Sequence, residues 1–334
     1  MSPSFSLASR RLVLPDGVRP ATVVVRDGVI VEVTPGIQPG ARDLGELVVL
    51  PGLVDTHVHI NEPGRTDWEG FATLTTAAAA GGITTLVDMP LNSIPATTTP
   101  DALELKRAAA EGKVRVDVGF WGGLVPDNID ELPGLARAGV RGFKAFQVHS
   151  GVDEFPDVPV ETMDEALEIL EPLGLPLLVH AEDPAVVNWQ VNLLLENPVS
   201  HAAWAASRAF AEEAAIDRLV TIAARHATRL HVVHVSTLGG VERIRKARAR
   251  GVPITGETCP HYLTWCGDEV PDGATRYKCA PPLGSFEDRD ALWRGLDDGT
   301  LGMVVTDHSP CPPELKHEDQ GGSTGRGAAS PRCR

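Results

Sequence analysis

The chain has 334 residues and a formal net charge of −15, with 30 basic residues against 45 acidic ones. This excess of negative charge argues against nucleic acid or an anionic membrane as a partner, because both are bound through basic patches. No apolar run is long enough to span a bilayer, and residues 1–5 lack the features of a secretion signal. The five cysteines are odd in number and include no Cys-x-x-Cys pair, which indicates a reducing, cytoplasmic location.

Short strands and turns are predicted for residues 1–50. Two apolar runs there, 21–26 and 29–33, flank Asp27-Gly28, which is a two-residue signal for a β-hairpin. From Val48 onward, apolar strands alternate with helical segments, which is the pattern of a parallel sheet buried on both faces. Eight strand candidates follow one another, with ends near residues 57, 88, 121, 146, 180, 234, 257 and 307.

Eight such units predict an α/β fold, a (β/α)8 TIM barrel, whose active site lies at the C-terminal ends of its strands. A doubly wound open sheet is the alternative architecture. It is disfavoured because no Gly-x-Gly-x-x-Gly sequence follows an early strand.

His57 and His59 lie two positions apart at the end of the first barrel strand. Side chains two positions apart on a strand share a face, so both imidazoles would point the same way, as two ligands of one metal ion do. A pair of histidines at a polar strand edge is the other interpretation. Further candidate ligands lie on other predicted strands near the same rim, and together they favour a metal site: Lys144, His180, His234 and Asp307.

Five motifs carry a resemblance to a known family. They are Pro51-Gly52-Leu53-Val54-Asp55-Thr56-His57-Val58-His59, Gly142-Phe143-Lys144, Val179-His180-Ala181-Glu182, His234-Val235-Ser236 and Thr306-Asp307-His308-Ser309. In combination they resemble the amidohydrolase superfamily, in its branch of dihydroorotases, dihydropyrimidinases and allantoinases, over about residues 20–317. The resemblance implies a barrel at residues 51–318, preceded by half of a β-sandwich at residues 1–50. Residues 319–334 read as a disordered or aberrant tail.

The resemblance also implies a centre of two divalent metal ions. Nitrogen and carboxylate ligands accept zinc, and also cobalt, manganese or iron. His57 and His59 would hold one ion, with Asp307 beside it, while His180 and His234 would hold the other. Relatives act on small cyclic molecules and form dimers or tetramers, so a homo-oligomer with no nucleic-acid or membrane partner is expected.

Lys144 would bridge the two ions in this resemblance, together with a hydroxide, after carboxylation of its side-chain amine. Electrostatics supports the modification. A cationic lysine about 4 Å from a charge of the same sign costs on the order of 4 kcal/mol at an effective dielectric constant of about 20. A snorkelling or ion-paired lysine is the alternative interpretation of this residue.

Cyclic-amide hydrolysis is the activity that the resemblance implies, with Asp307 moving a proton from the attacking hydroxide to the leaving ring nitrogen. Asn61 stands where dihydroorotases carry an arginine for a substrate carboxylate, so it favours a neutral ureide, allantoin. Asn92 and Ser309 are further candidate substrate contacts, with turn or cap roles as the alternative. Dihydroorotate and hydantoin are the alternative substrates, and an inactive amidohydrolase-like protein is the alternative of another class.

Relatives usually continue well beyond the last barrel strand, whereas this chain soon turns to a glycine-rich tail without helical periodicity. The expectation is that the last barrel helix and the returning sandwich strands are missing. A helix that buries about five large apolar side chains contributes roughly 8–15 kcal/mol, against a whole-protein stability of about 5–15 kcal/mol.

We therefore expect the isolated 334-residue chain to be poorly soluble, partly unfolded or dependent on a partner. Calorimetry and circular dichroism during heating measure this directly. A single sharp cooperative transition of the isolated chain would contradict the expectation.

Overall fold

The computed structural model describes residues 4–189, 201–271, 274–310 and 312–316. Two compact units are present, and the chain passes from one to the other between Leu53 and Val54. The predicted tail, residues 319–334, lies outside the described residues.

The N-terminal unit is a five-stranded sheet in which the first three strands form an antiparallel meander in the order β3-β2-β1. The strands are β1 (Phe5–Leu14), β2 (Gly17–Arg26), β3 (Val29–Pro35), β4 (Arg42–Asp43) and β5 (Val48–Val49). Asp27 and Gly28 both have positive φ, 50° and 80°, as a two-residue hairpin turn of the primed type requires. The hairpin that the sequence predicts at this turn is confirmed by the pairing of Arg26 with Val29.

The second unit contains eight successive parallel strand segments. They are β6 (Leu53–Val58), β7 (Ile83–Asp88), β8 (Asp117–Phe120) with its continuation β9 (Gly122–Gly123), β10 (Phe143–Phe146), β11 (Leu177–His180), β12 (Leu230–Val232), β13 (Ile254–Thr258) and β14 (Met303–Val304). One sheet has the order β6-β7-β8 and the other β14-β13-β12-β11-β10-β9. A parallel bridge between Val58 and His308 joins their outer ends and closes the barrel. All eight predicted strands are therefore found.

Helices follow most of these strands. They are α1 (Phe71–Ala80), α2 (Pro100–Ala110), α3 (Leu132–Arg137), α4 (Val160–Leu170), α5 (His201–Ala223), α6 (Leu238–Ala249), α7 (Pro260–Thr264) and α8 (Phe286–Asp297). Short 3-10 turns lie at Ile129–Glu131, Gly267–Glu269, Thr275–Tyr277 and Pro313–Lys316. In the parts of the chain described, no helix is long and apolar enough to cross a membrane.

Local sequence explains where several helices begin. The Thr99 side chain accepts from the amide of Ala102 and Pro100 occupies the first turn, so α2 starts with a capped end. Ser285 and Asp288 form a reciprocal capping box at the start of α8. These caps satisfy amides that have no partner within the helix.

The central strands β10, β11 and β12 are buried on both faces, and β10 illustrates the packing. All four of its residues are buried. Phe143 and Ala145 pack in the larger apolar cluster with helix residues, whereas Phe146 belongs to the second cluster, with Trp121 and Leu178. Alternate strand residues face opposite sides, so Lys144 shares the inward face of Phe146, and its Nζ lies 4.7 Å from the centre of that ring.

Replacing Phe143 by alanine removes a fully buried ring from the larger cluster. We expect the free energy of unfolding to fall by about 3–5 kcal/mol, measured by urea denaturation. Leu105→Ala is the control, because Leu105 is 55% exposed on α2 and its loss should cost less than about 0.5 kcal/mol. Equal losses in both variants would contradict the packing described.

Candidate metal centre

A cavity of about 750 Å³ lies at the C-terminal ends of the barrel strands. Its wall contains all six residues predicted as metal ligands: His57, His59, Lys144, His180, His234 and Asp307. They come from five different strands or the segments that follow them, and a closed parallel barrel gathers such residues at one rim.

His57, His59 and Asp307 form the tightest group in this cavity. The Nε2 atoms of His57 and His59 lie 3.2 Å and 3.3 Å from the same oxygen, Oδ1 of Asp307. One nitrogen or oxygen from each of the three residues lies within 4.8 Å of the others. Both imidazoles therefore point to one spot, as the His-x-His spacing predicts.

His180 and His234 stand beside this group. Their ring centres are 4.6 Å apart, and the ring of His234 lies 5.5 Å from that of His57. Lys144 is 1% exposed. Burial lowers the pKa of Lys144 to about 8, although the carboxylates of Asp307 and Glu257 act in the opposite direction.

Strained backbone marks the same place. In the described ranges, four residues other than glycine have positive φ, and three of them line the cavity: Asn92 (73°), His234 (41°) and Asp307 (49°). Such conformations cost about 1–3 kcal/mol each and cluster at functional sites.

Glu257 fixes the ring of His57 from behind. Its Oε1 lies 2.6 Å from Nδ1 of His57, and its Oε2 lies 3.1 Å from Nε2 of His231. Burial raises the pKa of Glu257, but hydrogen bonds from His231 and His57 outweigh burial and lower it to about 2. The carboxylate thus holds Nδ1 of His57 and turns Nε2 toward the cavity.

A second carboxylate does the same for His180. Glu182 Oε2 lies 2.7 Å from Nε2 of His180, and Arg208 binds Glu182 through Nε and Nη2, each at 2.6 Å. Burial raises the pKa of Glu182, but the charge of Arg208 and the hydrogen bond from His180 lower it to about 2. With Nε2 held in this way, Nδ1 is the nitrogen that His180 would offer to a metal.

Four residues around the rings have roles that were not predicted from the sequence: Glu257, His231, Glu182 and Arg208. One signal was available for Glu257. Thr255 and Glu257 lie two positions apart on β13, so their side chains share one face of the strand. Both contact His231, through Oγ1 and Oε2 respectively.

The donor set fits a divalent metal. Nδ1 of His234 is buried without a hydrogen-bond partner in the described structure, and such an atom is costly to bury. Burial lowers the pKa of His59 to about 4 and that of His234 well below its ordinary value, so both rings are neutral. Neutral imidazole is the form that coordinates metals.

His57 differs from its neighbours because a carboxylate faces each of its nitrogens. Burial lowers the pKa of His57, but the charge of Asp307 and the hydrogen bonds that the ring donates to Asp307 and Glu257 raise it to about 9. A metal held by Nε2 of His57 would therefore displace a proton.

The predicted substrate contacts divide into two groups. Asn92 and Ser309 line the cavity. Asn61 is fully buried, its Nδ2 lies 3.5 Å from the carbonyl oxygen of Pro310, and it is absent from the described residues of the cavity wall. Its contact with substrate stays a prediction. His261 also lines the cavity.

Most of the chain matches one protein family. Residues 48–328 match the model of the amidohydrolase family. The chain belongs to this family. The resemblance predicted from the sequence motifs is therefore confirmed.

Two curated relatives are similar over most of the chain. The allantoinase of Streptomyces avermitilis is 50% identical over 319 residues, which cover 94% of this chain and 71% of that protein. The allantoinase of Saccharomyces cerevisiae is 42% identical over 337 residues, which cover 96% of this chain and 73% of that protein.

A solved structure supports the fold. The L-hydantoinase (dihydropyrimidinase) of Arthrobacter aurescens has a TM-score of 0.85 and 31% identity, over 95% of this chain and 72% of that one. The predicted TIM-barrel fold is confirmed.

Glu257→Gln removes the charge behind His57 while it keeps the size of the side chain. We expect the affinity for divalent metal to fall about 10–100-fold, because outer carboxylates orient their histidines and raise their basicity. Titration against a competing chelator measures this. Glu161→Gln on the exposed side of α4 is the matched control and should leave the affinity unchanged. Wild-type affinity in Glu257→Gln would rule out this role.

Proposed function

We propose that the protein opens the hydantoin ring of allantoin by hydrolysis, giving allantoate, with two divalent metal ions as cofactor. The observation that carries this is the meeting of four imidazoles, one carboxylate and one buried amine in a single cavity. The identity of 50% and 42% to proteins named allantoinase supports allantoin as the substrate.

The ions would be shared among the cavity residues. His57, His59 and Asp307 would hold one, and His180 and His234 the other. We propose zinc, with cobalt, manganese and iron as alternatives for the same nitrogen and oxygen donors. When bound, such a pair supplies water of lowered pKa and polarises the carbonyl group under attack.

Carboxylated Lys144 would stand between the ions. With a pKa of about 8, about a tenth of the amine is neutral at pH 7. The neutral nitrogen attacks the carbon of carbon dioxide, a C–N bond forms, and a proton is lost. The product is a carbamate anion, which adds negative charge where cations are held.

Asp307 would move the proton of the reaction. Burial raises the pKa of Asp307, but the charge of His57 and the hydrogen bonds that His57 and His59 donate outweigh burial and hold it well below the ordinary range. The carboxylate therefore starts in its basic form. It would take a proton from the attacking hydroxide and give it to the ring nitrogen that leaves when the C–N bond breaks.

Asn92 and Ser309 would bind the ureide. Asn92 offers both an amide donor and an acceptor, and Ser309 offers a hydroxyl. A neutral ring with alternating N–H and C=O groups matches such partners. Hydantoin is the second candidate substrate, because the barrel resembles that of an L-hydantoinase with a TM-score of 0.85.

We also propose that the protein works in the cytoplasm as a homo-oligomer. Free cysteines support the compartment: Cys259, Cys266 and Cys279 have no disulfide partner within the described residues. Burial raises the pKa of Cys259 well above its ordinary value, so this thiol beside the site is a packing residue and no nucleophile.

Turnover of allantoin, hydantoin and dihydroorotate by the metal-loaded protein tests the proposal. We expect the highest kcat/KM for allantoin. Asp307→Asn should lower kcat about 10²–10⁴-fold through loss of proton transfer, and bound metal is measured in parallel because Asp307 is also a proposed ligand. A preference for dihydroorotate or hydantoin would overturn the substrate assignment.

A further inference from the structure

Lys106 and Asp88 form an ion pair that is completely enclosed behind the cavity wall. Asp88 ends strand β7 and Lys106 lies on helix α2. The Nζ and Oδ2 atoms are 2.5 Å apart, and both side chains are 0% exposed. Lysine and aspartate are almost never fully buried unless they are paired. Neither residue has a part in the hydrolysis proposed above.

Both charges act on one residue, Ile60. The amide of Ile60 donates to Oδ1 of Asp88 at 2.6 Å, and Nζ of Lys106 donates to the carbonyl oxygen of Ile60 at 3.0 Å. Ile60 is the residue between His59 and Asn61. The ion pair therefore holds both polar groups of the residue at which the first barrel strand passes into its loop.

Lys106 also reaches the loop after the second barrel strand. Its Nζ donates to Oγ of Ser93 at 3.1 Å. The neighbouring residue is Asn92, which lines the cavity in a left-handed conformation, φ 73°. One ammonium group thus joins the loop that follows His59 to the loop that carries Asn92.

Stability alone does not explain a buried pair of charges. Removing both charged groups from water is costly, and a protein with apolar residues of similar volume in their place is often equally stable. An ion pair adds direction, because each hydrogen bond fixes an atom at one place. Burial raises the pKa of Asp88 to about 6, whereas the charge and hydrogen bond of Lys106 lower it and so favour the ionised carboxylate.

We propose that Lys106 and Asp88 are positioning residues for substrate binding, which hold the loops of Ile60 and Ser93 so that Asn92 faces the cavity. This proposal rests on the proposed cyclic-amide hydrolysis. The ion pair would set the position of the loop residues that contact the substrate in that reaction. The metal side does not depend on the pair, because the His59 amide is held separately by the carbonyl oxygen of His308 at 2.8 Å.

The double variant Asp88→Asn/Lys106→Met tests the pair without leaving a lone buried charge. The introduced asparagine keeps an oxygen that accepts from the Ile60 amide, whereas the links from Lys106 to the Ile60 carbonyl and to Ser93 are lost. We expect KM for allantoin to rise about tenfold, the size of one lost charged hydrogen bond. Bound metal should be unchanged, and kcat should fall by less than KM rises.

Leu103→Ala is the matched control on the same helix. Leu103 is fully buried in the apolar core and has no hydrogen-bonding group, so the variant is destabilised while KM stays within about twofold of wild type. An equal rise of KM in Leu103→Ala would show that general loosening of α2 is responsible, and would overturn the proposal.

Ser93→Ala gives a second test in a variant that should fold normally. It should raise KM severalfold in the wild-type background and have no further effect in the Asp88→Asn/Lys106→Met background, because the two changes break the same link. Equal effects in both backgrounds would contradict the proposal, as would loss of metal from the double variant.

Amide hydrogen exchange separates this proposal from the proposed function. Peptides that contain Asn92 and Ser93 should exchange faster in the double variant than in Leu103→Ala, whichever substrate the enzyme turns over. Faster exchange without allantoin turnover would support the positioning role while the substrate assignment fails. Unchanged exchange would overturn the positioning role, even if allantoin is hydrolysed.

Discussion

The closure of the barrel between its first and last strands is the constraint on which the rest of the structure depends. The His59 amide donates to the carbonyl oxygen of His308 at 2.8 Å. The Thr306 hydroxyl donates to Oδ2 of Asp55 at 2.5 Å, across 251 positions of the chain. These polar contacts form the seam, and the seam places Asp307 against the two histidines of the first strand. Without closure, the tightest group of proposed ligands would not exist.

A layer of buried carboxylates surrounds that centre and orients its rings. Glu257 stands behind His57, and Glu182 stands behind His180 with Arg208 as its counter-ion. Burying these charges is costly, but each carboxylate has at least two polar partners within 3.1 Å. The rings are therefore held before any ligand arrives. The backbone strain at His234 and Asp307 is tolerated for the same reason, since rigid surroundings sustain it.

Much of the fold could be predicted from the sequence, because its signals are local. The apolar runs predicted the eight strands, and Asp27-Gly28 predicted the hairpin, since each depends on residues close together in the chain. The meeting of the six proposed ligands in one cavity could also be predicted, because a parallel barrel brings strand ends to one rim. The distances between these residues could not be predicted, nor could the contact of His57 and His59 with one oxygen of Asp307.

The sequence by itself determined the strand order, the shared face of His57 and His59, and the family to which the chain belongs. Tertiary structure alone decided which residues support them. Glu257 meets His57 across 200 positions, and Lys106 meets Ile60 across 46. Asn61, adjacent to Ile60, is enclosed, although its place in the motif predicts a substrate contact. The physical reason is that periodicity reports which face a side chain takes on its own element, whereas burial and hydrogen bonding depend on which other elements close over it.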